Sequence, residues 1–193
     1  MVVNRKLWIF VINQSFHNMK NIGVFCSSSN EIDDIYVDSV STIGKWLGEN
    51  KKTLIYGGVD RGLMEVIAKQ THQHGGKVIG LVPDIIKDCK SQYADEIIIT
   101  KDLSERKDRF LELSDIVVAL PGGIGTLDEI FHTLACATLD YNPPRVILYN
   151  INGFYSNLLT CLAEFKKHGF IKKPLSELFT IANTESELKS LLK

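Results

Sequence analysis

Apolar residues recur along this chain in two alternating rhythms. Unbroken runs over 21–26, 53–56, 77–82, 96–100, 115–120 and 145–149 are short and mostly rich in Val, Ile and Leu, and read as strands buried on both faces. Between them Tyr36, Val40, Ile43 and Leu47 return at helical spacing, and residues 63–69, 130–137 and 154–167 also read as helices. A short edge strand over 178–182 follows, and Thr184 to Glu187 caps a terminal helix. Strand and helix alternate from residue 21 to the end, without an internal repeat, a linker or a low-complexity segment. The predicted class is α/β: one doubly wound, Rossmann-like parallel sheet with helices on both faces. Residues 84–94 carry little pattern and read as a loop placed to act as a lid.

Residues 1–18 break the rhythm. The apolar stretch 6–12 follows Arg5 and Lys6 but is at the lower limit, about 7 residues, of a signal-sequence core, and polar residues 13–18 follow without a small-residue cleavage site. We read 1–18 as an N-terminal appendage, with Met19 an equally good start, and 19–193 as one Rossmann-like domain. No run approaches the roughly 20 apolar residues of a membrane span. With 193 residues, 45% of them hydrophobic, and a net charge of -1, the chain has no basic surplus for nucleic acid. Cys26, Cys89, Cys136 and Cys161 are scattered and form no Cys-x-x-Cys pair, as expected of reduced cysteines in a cytoplasmic protein.

Candidate chemistry gathers where strands run into glycine-rich turns. The run ending at Leu120 leads into Pro-Gly-Gly-Ile-Gly-Thr-Leu-Asp-Glu at 121–129. Gly122, Gly123 and Gly125 let the backbone approach a ligand, and amides opening a helix attract an anion. Asp128 and Glu129 add negative charge to that turn, so we expect it to hold a phosphate at one end and to serve chemistry at the other. A second reading stands beside this one: Thr126 and Glu129 also form a capping box. A hydroxyl-rich turn at Ser27 and Ser28 and a second glycine turn at Gly57, Gly58 and Gly62 leave neighbouring strands, and ligand crevices open at that edge of a parallel sheet. Neither glycine turn is a dinucleotide fingerprint, and no P-loop lysine follows.

Ahead of the central turn lies Asp-Leu-Ser-Glu-Arg-Lys-Asp-Arg at 102–109. Asp102 and Glu105 make a capping box that puts Arg106 and Lys107 in the first helical turns, where the dipole disfavours cations by about 0.3–1 kcal/mol each. An anion site explains such a violation; a solvated helix face with Glu105, Asp108 and Glu112 as partners is the alternative. His72 and His74 read as surface residues, and no metal is expected.

Arg106 and Lys107 upstream of the 121–129 motif resemble the Lonely Guy family of cytokinin riboside 5'-monophosphate phosphoribohydrolases, whose mark is Pro-Gly-Gly-x-Gly-Thr-x-x-Glu. The likeness extends from about Lys20 to the C-terminus and includes 24–28, 56–58, 62–64 and 150–154. It implies that Arg106 and Glu129 are the catalytic pair. It further implies that Ser27, Ser28, Gly57, Gly58, Met64, Lys107, Gly122, Gly123, Ile124, Gly125, Thr126 and Asp128 contact the nucleotide, with no cofactor. Where plant-like members read Gly-Gly-Gly-x-x-Gly-Leu-Met, this chain has Val59, Asp60 and Arg61 after two glycines. Ala135 and Cys136 depart as well, so the surroundings of the base or ribose are expected to differ. Lysine decarboxylation, a label the family also carries, finds no lysine in a Schiff-base setting.

The resemblance implies hydrolysis of the N-glycosidic bond of AMP or a cytokinin riboside 5'-monophosphate. The small-molecule nucleotide is then the main partner, with a second copy of the chain packed on one face of the apolar helix after Glu129. A non-catalytic nucleotide-binding or carrier protein of the same fold is the competing reading.

Overall fold

The computed structural model describes residues 19–193; the appendage reading of 1–18 lies outside the described residues. Seven parallel strands form one sheet in the order β4-β3-β2-β1-β5-β6-β7. They are β1 (Asn21–Phe25), β2 (Thr53–Tyr56), β3 (Lys77–Pro83), β4 (Glu96–Thr100), β5 (Ile116–Ala119), β6 (Arg145–Tyr149) and β7 (Phe179–Ala182). Each predicted strand is present within two residues of its expected ends, and β7 is an edge strand as its position at the chain's end foretold. Burial accounts for the accuracy: β2 and β5 are covered along their whole length, so both alternating sets of side chains are mostly apolar.

The helices are α1 (Asp34–Glu49), α2 (Gly62–Gln73), α3 (Leu103–Leu113), α4 (Ile124–Thr138), α5 (Ser156–Lys167), α6 (Leu175–Leu178) and α7 (Glu185–Leu191). Val40, Ile43 and Leu47 of α1 pack with Leu63 and Ile67 of α2 and Leu188 of α7 on one face of the sheet. Phe110 of α3, Ile130 and Leu134 of α4 and Leu162 of α5 cover the other. This is the doubly wound arrangement that the alternation predicts.

Strand order decides where a ligand can sit. From β1 the chain winds outward through β2, β3 and β4, then returns through α3 to lay β5 on the opposite side of β1. Loops leaving β1 and β5 therefore diverge, and a crevice opens between them at the sheet's carboxyl edge. The register sets Phe25 beside Ala119, so the serine turn and the 121–129 motif leave the sheet as neighbours.

Residues 84–94 contain a single 3-10 turn, Asp84–Ile86. Beyond it the segment is tied to the β2 turn: Asp60 N donates to Cys89 O at 3.0 Å and Ser91 N to Gly58 O at 3.0 Å. It forms a wall of the crevice.

Candidate active site

The central helix starts earlier than its capping signal implies. Thr126 and Glu129 do not close a capping box: α4 begins at Ile124, Gly123 stands at its N-cap without a side-chain cap bond, and Glu129 lies in the second turn. Thr126, Glu129, Ile130, Thr133 and Leu134 instead form its buried stripe. Their spacing is that of one helix face, so the carboxylate occupies a place where the fold would otherwise put an apolar side chain. Gly122 permits the tight turn before it, since a Cβ there would lie 2.1 Å from Thr126 Oγ1.

Helix α3 starts as the sequence foretold. Asp102 accepts from Ser104 N at 3.0 Å and Glu105 N at 2.9 Å, and Glu105 Oε2 accepts from Lys101 N at 2.7 Å. From this anchored first turn Arg106 reaches inward and its Nη2 donates to Glu129 Oε1. Both side chains are sheltered, at 13% and 5% exposure. The alternative of a solvated face holds at Arg109, which pairs with Glu112 at 2.7 Å. It fails at Arg106.

Arg106 and Glu129 line a cavity of about 460 Å³ at the switch point. Ser27, Ser28, Gly57, Met64, Gly123, Ile124, Gly125 and Thr126 line it too. Ser27 N donates to Pro121 O at 3.2 Å and Met64 N to Ser27 O at 3.3 Å, which locks the three turns together. Gly57 lies flush against the guanidinium: a Cβ there would sit 3.2 Å from Arg106 Nη1 and 2.8 Å from Met64 Sδ.

Four expected contacts fall outside the lining. Gly58, at φ 76, is turned against Gly80 and Val82, and Gly122 serves the turn geometry. Lys107 leaves α3 on another side and binds both Asp128 oxygens, at 3.0 and 2.9 Å. Lys107 and Asp128 thus brace α3 against α4 beside the cavity. Arg61, in the sequence only a departure near the base or ribose, also lines the cavity, and sequence reasoning missed Cys89, whose Sγ accepts from Arg61 Nη2 at 3.2 Å. The signal for Arg61 was present in the chain: like Arg106, it is a cation at the start of a helix.

Electrostatically the site is under-satisfied. Burial lifts the Glu129 carboxyl to about 7; Arg106 pulls it down, Asp128 pushes it up and Lys107 pulls it down, but burial prevails. Burial, with Glu129 nearby, also pushes the Cys26 thiol upward. Arg106 Nε is buried with no partner, at a cost of about 1–3 kcal/mol. Arg106 engages Oε1 of the carboxylate, which leaves Oε2 for a ligand.

The shift has a consequence for stability. A Glu carboxyl raised from 4.5 to about 7 binds its proton more tightly folded than unfolded. Its contribution is present in full below about pH 4.5 and lost as pH climbs to about 7, at most about 3 kcal/mol. Thermal unfolding of the ligand-free protein should therefore show Glu129→Gln gaining on the wild type between pH 5 and pH 8. A constant gap across that range would refute the shift.

The family sequence model described as "Possible lysine decarboxylase" matches residues 64–192, which include the 121–129 motif. A cytokinin riboside 5'-monophosphate phosphoribohydrolase of Arabidopsis thaliana is 34% identical over 176 residues, 90% of this chain and 77% of that protein. Another of the same name and plant is 32% identical over 176 residues, 90% of this chain and 82% of that protein. Among solved structures, the molybdenum cofactor binding protein of Rippkaea orientalis superposes with a TM-score of 0.70 at 22% identity, covering 91% of this chain and 96% of that one. The molybdenum cofactor carrier protein of Chlamydomonas reinhardtii gives 0.68 at 22% identity, covering 91% and 99%. At that identity these two share the fold alone.

Proposed function

The chain belongs to the Lonely Guy family of cytokinin riboside 5'-monophosphate phosphoribohydrolases, and from that premise we propose that it hydrolyses the N-glycosidic bond of nucleoside 5'-monophosphates, releasing free base and ribose 5-phosphate. One observation carries the reading: a buried carboxylate and a half-buried guanidinium meet in the lining of one cavity, beside the amides that open α4. Breaking the bond leaves positive charge on the ribose, so the site must supply an anion at the sugar and a clamp on the phosphate. The Gly123 to Thr126 turn and the Ser27 and Ser28 hydroxyls hold the phosphate. Glu129 Oε2 meets the ribose, where its charge opposes the developing cation and can activate water. Arg106 orients Glu129 and offers the rest of its guanidinium, on the cavity wall, to the nucleotide. Lys107, through Asp128, keeps the two helices in register. The AMP nucleosidase activity this describes is tested by incubating the protein with AMP and with a cytokinin riboside 5'-monophosphate. Free base and ribose 5-phosphate should appear together; saturable binding without either product would favour a carrier.

A second copy completes the reading. On α4, the helix that carries Glu129, Phe131 and Leu139 are 43% and 63% exposed. With Leu134, Phe165 and Phe170 they line an apolar groove of about 520 Å³, the kind of surface that a homodimer covers. Light scattering should report twice the 21.7 kDa chain mass; a monomer at micromolar concentration would exclude the dimer. No helix among the described residues is long and apolar enough to cross a membrane. Four unpaired cysteines fit a reducing compartment such as the cytoplasm, which cell fractionation checks.

A further inference from the structure

The cavity holds a second guanidinium that the reaction leaves without a task. Arg61 stands at the N-cap of α2, where the dipole disfavours a cation. Its neighbour Asp60 is held to the 84–94 segment by the bond to Cys89 O. Its side chain lines the cavity, and Nη2 rests on Cys89 Sγ, a weak acceptor. The Asp60 carboxylate is 3.8 Å from Nε, beyond hydrogen-bonding reach. Most of the fork's donors are therefore open to a ligand.

Position says which part of the ligand they meet. The phosphate turn follows β5 and the Arg61 turn follows β2, with β1 between them. The two turns are thus two strand spacings apart, roughly 10 Å. With the phosphate at the start of α4 and the ribose at Glu129, the lining left for the base includes Met64, Ile86 and Leu103. Arg61 then faces the base edge. A guanidinium donates and never accepts. It matches the adjacent O6 and N7 acceptors of a 6-oxopurine and opposes the amino group of adenine, itself a donor.

We propose that Arg61 reads the base edge and turns this site toward 6-oxopurine nucleoside 5'-monophosphates, over 6-aminopurine ones and those alkylated at N6. The assignment rests on the phosphoribohydrolase reading above. The test has two arms. In the first, base release from GMP, IMP, AMP and N6-isopentenyladenosine 5'-monophosphate is compared for the wild type and Arg61→Val. In the second, GMP and AMP binding to Glu129→Gln is measured by calorimetry, with and without Arg61→Val.

GMP and IMP should exceed AMP in kcat/KM by about 10-fold or more, and Arg61→Val should lower the GMP-to-AMP ratio by a similar factor in turnover and in binding. A merely structural Arg61 would lower both nucleotides alike. A ratio unmoved by Arg61→Val, or a wild-type preference for AMP, overturns the assignment. Absence of product from every nucleotide would sink the hydrolase reading instead, and the binding ratio would still decide the role of Arg61.

Discussion

Glu129→Gln is expected to bind nucleotide nearly as well as the wild type and to release base about 10²-fold more slowly or worse. The amide keeps the shape of the side chain and an acceptor for Arg106 Nη2, so the cavity keeps its form. What is lost is the charge. At 5% exposure Glu129 acts where water screens little, so its attraction for a ribosyl cation is strong and specific to the transition state. The reaction needs the ionised form, and the free protein holds that carboxyl at about 7. In the wild type, kcat/KM should therefore rise about tenfold per pH unit below 7 and level off above it. The variant should lose that slope with its rate. Adenine release from AMP measured between pH 5 and pH 9 reads both effects; release by the variant within a few-fold of the wild type would remove Glu129 from the chemistry.

Arg106→Ala should weaken binding and slow turnover together, lowering kcat/KM by about 10³-fold. The change removes the donor next to Glu129 and a guanidinium that lines the cavity. It also strands a carboxylate, and breaking a buried pair in this way commonly costs about 3–5 kcal/mol. Here the cost is capped, because Glu129 already sits near neutrality and can take up a proton. The variant should remain folded, with its carboxyl titrating above 7. Arg106→Lys should recover little, since an ammonium has no Nε and no fork. Initial rates across a range of AMP concentrations are the check, and unchanged kinetics in Arg106→Ala would refute the pairing.

Most of the scaffold was legible because it is written in local runs. Ile116 to Ala119 and Thr53 to Tyr56 had to be strands, being too short for buried helices and sealed by turn residues. The start of α4 was misread for a physical reason. Thr126 and Glu129 have the spacing of a cap, but both belong to the buried stripe of the helix, and tertiary burial overrode the local signal. Helix α6 has four residues, too few for a period to show. The resemblance implies nucleotide contacts at Lys107 and Asp128, and in the fold the two bind each other beside the cavity, a pairing across 21 positions that no local pattern shows.

The chain alone determined the alternation, the glycine turns and the chemistry each turn offers, because apolar periodicity and backbone freedom are properties of neighbouring residues. Only the tertiary structure decided that Arg106 faces inward while Lys107 faces aside, and that Arg106 meets a carboxylate 23 positions later. The fold also decided that this carboxylate is held near neutrality. Those outcomes depend on desolvation by strands and helices far apart in the chain, and no local pattern of residues encodes how much water a fold will exclude.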